Sequence, residues 1–318
     1  MKYKKPLLFL MILSLIFTGG CSKQNKKHSI AVIVKATDSD FWQNVERGVN
    51  AAATEYNISL TYEGPKNEED YLTQNEMINN AVQNGAEAIV LSAIDFYQSA
   101  NAVAAAADAG VKIVVIDSGV NSKKINTFIG TDNYKAGQAA AATAVESRGS
   151  TENMRIGIVN YDRNTDNGRR REAGFRDYIA GLPEARVVET AYVDSNTTSA
   201  AAGAISLLHA HPEINVLVGF NEWMTLGIGS AVKQLGVADT VTAVGFDNNV
   251  VSVGMLETGE IDSLIVQNPF AMGYLGVQSA AELIDGKSVS GNIETSLTTV
   301  TRSNMFDEDN QKILFKFE

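Results

Sequence analysis

The chain has 318 residues, which is enough for two domains of ordinary size, each with a core of its own. Hydrophobic residues make up 45% and charged residues 20%, a balance typical of folded proteins that excludes a disordered chain. The formal net charge of −11 argues against nucleic-acid binding, because an acidic surface repels the phosphate backbone.

The first 21 residues differ in kind from the rest of the chain. Lys2, Lys4 and Lys5 form a short basic segment, an uncharged apolar run covers residues 7–17, and small residues then lead to Cys21. This order predicts a secretory signal peptide over residues 1–21, since the run is too short for a mature transmembrane helix. The alternative is a buried N-terminal helix, which is disfavoured because the run has no polar face.

Cys21 is the only cysteine of the chain, so no internal disulfide can form. Its position resembles a bacterial lipobox, in which the cysteine is lipidated and becomes the first residue, although Thr18 stands where lipoboxes usually have Leu. Residues 22–28 are polar and are predicted to form a flexible tether. We therefore expect an exported protein that a lipid on Cys21 anchors to the outer face of the cell membrane.

After the tether, apolar β-rich segments alternate with helical segments. In the first half the predicted strands are 29–35, 58–64, 86–93, 111–118 and 125–131, and the predicted helices are 41–57, 70–85 and 99–110. In the second half the predicted strands are 154–161, 185–193, 214–221, 241–248 and 261–269, and the predicted helices are 133–149, 168–182, 198–211, 222–236, 250–257 and 272–286. This alternation predicts an α/β fold with parallel central sheets in two lobes, and the lobe changes near Thr131.

Ligands of open parallel sheets bind beyond the carboxyl ends of the strands, so the residues that follow each strand are candidates for a site. Carboxylates, amides and an arginine can pair with hydroxyl groups, and aromatic rings can cover C–H faces. The candidates are Asp40, Phe41, Trp42, Asp95, Asp117, Arg171, Asn221, Phe246, Asp247 and Gln267. Structural alternatives stay open: the aspartates and the asparagine can cap turns or helices, and the aromatic residues can belong to the core.

Motifs of enzymes and cofactor sites are absent from the sequence. No segment matches GxGxxG, GxxxxGK[ST], CxxC, HExxH or GxSxG. The histidines, His28, His209 and His211, are expected to have structural or solvated roles. We therefore expect no cofactor, no metal and no catalytic activity.

The order of several segments resembles the type I periplasmic binding proteins for sugars, in particular the ribose- and galactose-binding proteins of ABC transporters and chemotaxis. These segments are TDSDFW, VVIDS, GTDNYKAG, GRRREAGF, HPEINVLVGFNEWMTLG, AVGFDNN and LIVQNP, and the similarity covers residues 29–317. The resemblance implies two Rossmann-like lobes joined by three hinge crossings, near Thr131, Gln267 and Gly291, with one ligand in the cleft.

The implied N-terminal lobe contains residues 29–131 and 268–290, and the implied C-terminal lobe contains residues 132–267 and 291–318.

The resemblance also implies which residues contact the ligand. In ribose-binding relatives an aromatic pair after the first strand sandwiches the sugar, which matches Phe41 and Trp42. The further matches are Asp117, Arg171, Asn221, Phe246, Asp247 and Gln267. The chain differs from ribose binders at Ser118 in place of an arginine, at Asp40 in place of a proline, and at residues 194–196, which lack an aromatic. In having an acidic residue at the position of Asp40, the chain resembles galactose-type binders.

The function that the resemblance implies is substrate binding for an ABC transporter, by a monomer that captures a pentose or hexose and delivers it to a membrane permease. The alternative is a receptor for a sugar-like signal, such as an autoinducer or a polyol, that feeds a sensor kinase or chemoreceptor. A transcription regulator of the LacI type would need an N-terminal helix-turn-helix, where this chain has the signal peptide and tether.

Overall fold

The structure, a computed structural model, describes residues 27–315. The predicted signal peptide, Cys21 and most of the predicted tether lie outside the described residues. Among the helices of the described part, none has both the length and the apolar character needed to cross a membrane.

Strands and helices alternate along most of the chain. The strands are β1 (Ser29–Ile33), β2 (Ser59–Glu63), β3 (Ala88–Leu91), β4 (Lys112–Ile116), β5 (Thr127–Gly130), β6 (Met154–Asn160), β7 (Ala185–Tyr192), β8 (Val216–Gly219), β9 (Thr242–Phe246), β10 (Ser263–Val266), β11 (Asn292–Glu294) and β12 (Thr298–Thr301). The helices are α1 (Asp40–Glu55), α2 (Tyr71–Gln83), α3 (Ala100–Asp108), α4 (Asn133–Arg148), α5 (Asp166–Ala180), α6 (Thr197–Ala210), α7 (Glu222–Leu235), α8 (Val250–Thr258), α9 (Pro269–Ile284) and α10 (Glu308–Leu314).

The strands form two six-stranded sheets, and each sheet with its helices is called a lobe here. The first sheet has the order β11-β5-β4-β3-β1-β2 and is parallel throughout. The second has the order β12-β10-β9-β8-β6-β7 and is parallel except for β12, which runs antiparallel to β10. The predicted α/β fold with two parallel-sheet lobes is confirmed.

Both sheets are covered on their two faces, which explains the continuous apolar strands. β3, β8 and β10 are buried at every residue. In the first lobe, α1 and α9 pack on one face of the sheet and α2 and α3 on the other, which gives two separate apolar clusters. The second lobe has one larger cluster.

The third crossing between the lobes lies later than the sequence predicted. The prediction placed it at Gly291, but β11 pairs with β5 through Ile293 and Ile129 and so belongs to the first sheet. The chain therefore crosses between β11 and β12, at residues 295–297. The prediction missed both strands because they are short and mostly polar, so they lack an apolar pattern.

The predicted tether also ends earlier than expected. His28 lies against the first lobe, with Nδ1 3.3 Å from the carboxylate of Glu87 and Nε2 3.3 Å from that of Asp285. His28 therefore belongs to the folded lobe and not to a free tether.

Candidate functional site

A narrow cavity lies between the two lobes. It is found beyond the carboxyl ends of strands from both sheets, the usual position of ligand sites in parallel sheets. The residues that line it are Lys35, Ser39, Phe41, Trp42, Glu68 and Asp117 from the first lobe, and Tyr161, Asn167, Arg171, Asn221, Glu222, Trp223, Asp247 and Gln267 from the second lobe and its crossing.

Most of the predicted ligand-binding residues lie at this cavity. Those that line it are Phe41, Trp42, Asp117, Arg171, Asn221, Asp247 and Gln267. Two predicted residues, Asp40 and Phe246, are not among its lining residues. Asp40 begins α1, and its backbone N–H donates to Glu222 Oε1 at 3.3 Å. Phe246 is fully buried beneath Arg171, whose guanidinium carbon lies 4.7 Å from the ring centroid.

The position of Phe246 follows from the alternation of side chains along a strand. Phe246 is the last residue of β9 and points into the core, where its ring contacts that of Phe220. Asp247, the next residue, lines the cavity. Phe246 therefore supports the arginine through a cation–π contact, and the expectation of a direct ligand contact is corrected.

Asp95 has a structural role, as a residue that caps a turn. Its carboxylate Oδ1 accepts hydrogen bonds from the backbone N–H groups of Tyr97 and Gln98, both at 2.8 Å. It closes the turn before α3 and is not a lining residue of the cavity.

Asp117 is the central acid of the first lobe. It follows β4, is 2% exposed, and accepts hydrogen bonds from Ser92 Oγ at 3.0 Å and from Asn167 Nδ2 at 3.1 Å. Lys35 Nζ and Arg171 Nη2 each lie 3.8 Å from its carboxylate. The carboxylate is thus oriented by groups from both lobes.

Arg171 connects several elements of the site. The side chain is 1% exposed and donates to Asn133 Oδ1 at 2.8 Å, to the Phe220 carbonyl at 2.7 Å, and to Gln267 Oε1 at 2.7 Å. Gln267 Nε2 in turn donates to Asp247 Oδ1 at 2.8 Å. Because the planar guanidinium has its donors in fixed directions, this network fixes the second-lobe wall of the cavity before a ligand arrives.

Burial changes the proton affinity of the acids in the second lobe. Desolvation raises the pKa of Asp247 from 3.8 to about 7, against the opposing effects of Arg171 and Gln267. Desolvation likewise raises the pKa of Glu222, although hydrogen bonds from Asn249 and the Phe41 backbone counteract it. The charge of Asp247 therefore depends on pH near neutrality.

Polar contacts join the lobes around the cavity. Glu222 Oε2 accepts from the backbone N–H of Phe41 at 3.0 Å, and Glu68 Oε2 accepts from Ser195 Oγ at 3.0 Å. Lys35 Nζ donates to Thr165 Oγ1 at 2.9 Å and to Asn167 Oδ1 at 3.0 Å. These contacts describe a closed arrangement of the two lobes.

The sequence reasoning missed seven lining residues: Lys35, Ser39, Glu68, Tyr161, Asn167, Glu222 and Trp223. For Lys35 and Tyr161 a signal existed, because each follows a strand closely, the position at which other candidates were found. Glu68 lies in the segment between β2, which ends at Glu63, and α2, and no local pattern marks it.

Among residues 27–315, no group of three or more His, Cys, Asp or Glu side chains is placed to hold a metal ion. The site can offer hydrogen-bond acceptors, a few donors and aromatic rings, a set that suits a polar ligand rich in hydroxyl groups.

Comparison with known proteins places this arrangement in a family. The family described as periplasmic binding protein domain matches residues 30–288. The D-ribose/D-allose-binding protein of Pseudomonas aeruginosa is 28% identical over 290 residues, which cover 87% of this chain and 89% of that protein. The ribose import binding protein of Bacillus subtilis is 24% identical, covering 94% and 99%.

Two solved structures have the same fold. A carbohydrate transporter solute-binding protein of Agrobacterium radiobacter, in complex with D-arabinose, is 31% identical with a TM-score of 0.88, and the match covers 91% of this chain and 99% of that one. An ABC transporter solute-binding protein of Agrobacterium vitis with bound D-fucose is also 31% identical, with a TM-score of 0.86 and coverage of 90% and 100%.

Proposed function

Because the chain belongs to the periplasmic binding protein family, we propose that it is the substrate-binding protein of a sugar ABC transporter and binds one monosaccharide between its lobes. The observation that carries the proposal is the convergence on one cavity of aromatic rings, acids, amides and a buried arginine from both lobes. The relatives named above bind ribose, allose, arabinose or fucose, so a pentose or hexose is the ligand class.

The charges at the cavity favour an uncharged sugar. Four carboxylates line it, and both lining cations, Lys35 and Arg171, already pair with protein acceptors. A sugar phosphate or a uronate would bring negative charge beside these acids without an unpaired cation to meet it. Asp247 has capacity for sugar hydroxyls, since a carboxylate offers about four acceptor positions and Gln267 uses one.

Binding and closure are coupled in this mechanism. The sugar enters an open cleft and contacts both lobes as they close about the three crossings. A ligand that touches both lobes binds the closed state better than the open one and so shifts the population toward closure. The permease then recognises the closed, loaded form. The cleft binds its ligand without a catalytic step.

The anchor belongs to the same proposal. We propose that the signal peptide is removed, that a lipid on Cys21 holds the protein as a monomer at the outer face of the membrane, and that residues 22–27 form the tether. Mass spectrometry of the protein purified from membranes tests the anchor. An unmodified Cys21, or a mature chain that starts elsewhere, would rule it out.

A thermal-shift panel tests the ligand class. The panel contains D-ribose, D-arabinose, D-allose, D-fucose and D-galactose, their alditols, an inositol, a uronate and a sugar phosphate. A ligand that binds the native state alone stabilises it by about 2.7 kcal/mol at one hundred times its Kd. We expect a clear rise in melting temperature with at least one neutral ring sugar. A rise with the uronate or phosphate alone, or with no compound, contradicts the proposal.

A further inference from the structure

We infer that Trp223 is a specificity-determining residue that covers the sugar from the second lobe, opposite the aromatic pair Phe41 and Trp42 of the first lobe. This inference rests on the proposed sugar-binding function. Ribose binders have an aromatic residue in the second lobe at the position of residues 194–196, where this chain has none. The inference assigns an aromatic contact of that lobe to Trp223, in a different segment.

The first turns of α1 and α7 meet across the cleft. Glu222, the first residue of α7, accepts hydrogen bonds from the backbone N–H groups of Asp40 at 3.3 Å and Phe41 at 3.0 Å. These two residues begin α1. Trp42 and Trp223, the next residues of the two helices, therefore come from opposite sides to the same cavity, which both of them line.

The segment at residues 194–196, where ribose binders have an aromatic residue, makes polar contacts with the first lobe. Ser195, in the connection between β7 and α6, donates through its hydroxyl to Glu68 and through its backbone N–H to Glu69, at 3.0 Å and 2.6 Å. Asn221 Nδ2 also donates to Ser195 Oγ, at 2.9 Å. That segment closes the lobes by hydrogen bonds, and α7 brings the indole of Trp223 to the cavity, in addition to the ring of Tyr161.

The first-lobe wall is fixed in place. The indole Nε1–H of Trp42 donates to Glu68 Oε1 at 2.8 Å, and the Phe41 and Trp42 rings form an edge-to-face pair with centroids 5.0 Å apart. Trp223 packs partly against the second-lobe core and so moves with that lobe. The aromatic enclosure is therefore complete only when the lobes close.

This arrangement selects a ligand with a rigid C–H face. A ring sugar presents such a face to an aromatic ring, whereas an alditol with the same hydroxyl groups is flexible and must lose conformational freedom to do so. The site should therefore prefer the ring sugar over its alditol, and Trp223 should contribute to that preference.

The test uses the neutral ring sugar of the panel that gives the largest thermal shift, together with its alditol. Calorimetric affinities are measured for wild type, Trp223→Ala and Trp223→Phe. We expect Trp223→Ala to weaken sugar binding by about tenfold or more and to reduce the preference over the alditol, while Trp223→Phe stays within about threefold of wild type. Phe306→Ala is the matched control, because Phe306 is a 60% exposed aromatic away from the cavity lining, and it should leave affinity unchanged.

Fluorescence supplies a readout that a merely structural role would not change. The chain has two tryptophans, so Trp42→Phe leaves Trp223 as the sole indole. We expect its emission to change with sugar and to saturate at the calorimetric Kd of that variant. Melting temperatures without sugar show whether each variant is folded.

The outcomes separate this inference from the proposed function. If wild type binds a sugar while Trp223→Ala, still folded, binds it equally well, or if the emission of Trp223 does not respond, the role of Trp223 is refuted and the sugar-binding function stands. If wild type binds no sugar of the panel, the proposed function itself fails, and the inference falls with it.

Discussion

Asp117 and Asp247 occupy equivalent positions in the two lobes. Each follows a buried strand, and each has a left-handed backbone, with φ of 55° and 65°. Residues other than glycine rarely adopt this conformation, although aspartate and asparagine tolerate it better than most. The same turn after β4 and after β9 directs a carboxylate into the cleft from each side, and backbone strain of this kind is common at functional sites.

Asp247→Asn should weaken sugar binding and change how stability depends on pH. Asparagine keeps the shape and tolerates the positive φ, but it removes the charged acceptor, so we expect affinity to fall by about tenfold. In the wild type, burial raises the pKa of Asp247 from 3.8 to about 7. The folded state therefore keeps a proton that the unfolded state releases, and the stability from this group is lost as pH rises from about 4 to 7.

The asparagine side chain in the Asp247→Asn variant cannot ionise. The difference in melting temperature between this variant and wild type should therefore favour the variant more at pH 8 than at pH 5. Asp262→Asn is the control. Burial also raises the pKa of Asp262, but that residue precedes β10 at the far end of the sheet and should not affect sugar affinity. Calorimetry measures the sugar affinity of each variant, and thermal denaturation at the two pH values measures its melting temperature. Equal affinity for Asp247→Asn and wild type would remove Asp247 from the site.

The helices that position the site pack closely through glycine. Gly137 of α4 faces α5, and a Cβ added there would lie 1.9 Å from the carbonyl oxygen of Arg171. Since that oxygen belongs to the backbone, α5 would have to move away. The same helix contains Asn167, so two cavity residues depend on this contact between helices.

Gly137→Ala should therefore destabilise the protein by about 1–3 kcal/mol and also weaken sugar binding. The control is Gly254→Ala in α8, where a Cβ would have nothing within 4 Å. Alanine is favoured over glycine in a helix by about 1 kcal/mol, so that variant should gain stability and keep its affinity. Chemical denaturation and calorimetry measure both effects. A Gly137→Ala protein as stable as wild type would show that α4 and α5 do not need this close approach.

At the scale of the whole molecule, the closed arrangement of the two lobes is stabilised by hydrogen bonds that connect one lobe to the other. Glu222 joins the start of α1 to the second lobe, where Asn249 Nδ2 donates to it at 2.7 Å. A glutamine at this position offers one acceptor oxygen and places an N–H group near other donors. We expect Glu222→Gln to favour the open state.

Small-angle scattering during a sugar titration measures closure as a fall in radius of gyration. The midpoint for Glu222→Gln should require about tenfold more sugar than wild type, because a hydrogen bond to a charged group contributes roughly 1.5–3 kcal/mol. Glu213→Gln, at an exposed carboxylate that lies 3.5 Å from His211 Nδ1, should leave the midpoint unchanged. Identical midpoints for Glu222→Gln and wild type would show that this contact does not control closure.

Much of the fold and part of the site followed from the sequence by itself. Apolar runs separated by amphipathic segments predicted the parallel sheets, since burial on both faces requires such strands. The rule that ligands lie beyond strand ends identified Asp117 and Asp247, because each directly follows a buried strand. Both features are local along the chain, and local patterns can be read without knowing which segments meet.

Only the tertiary structure shows which residues of the two lobes contact each other and where the chain crosses between the lobes. Glu222 contacts the backbone of Phe41, and Glu68 contacts Ser195, because two separate sheets close on one another, and no spacing along the chain encodes that meeting. The third crossing was misplaced for a related reason. β11 has three residues and little apolar character, and it is a strand because β5 offers it an edge. Contacts between distant segments are set by three-dimensional packing, and periodicity carries no information about them.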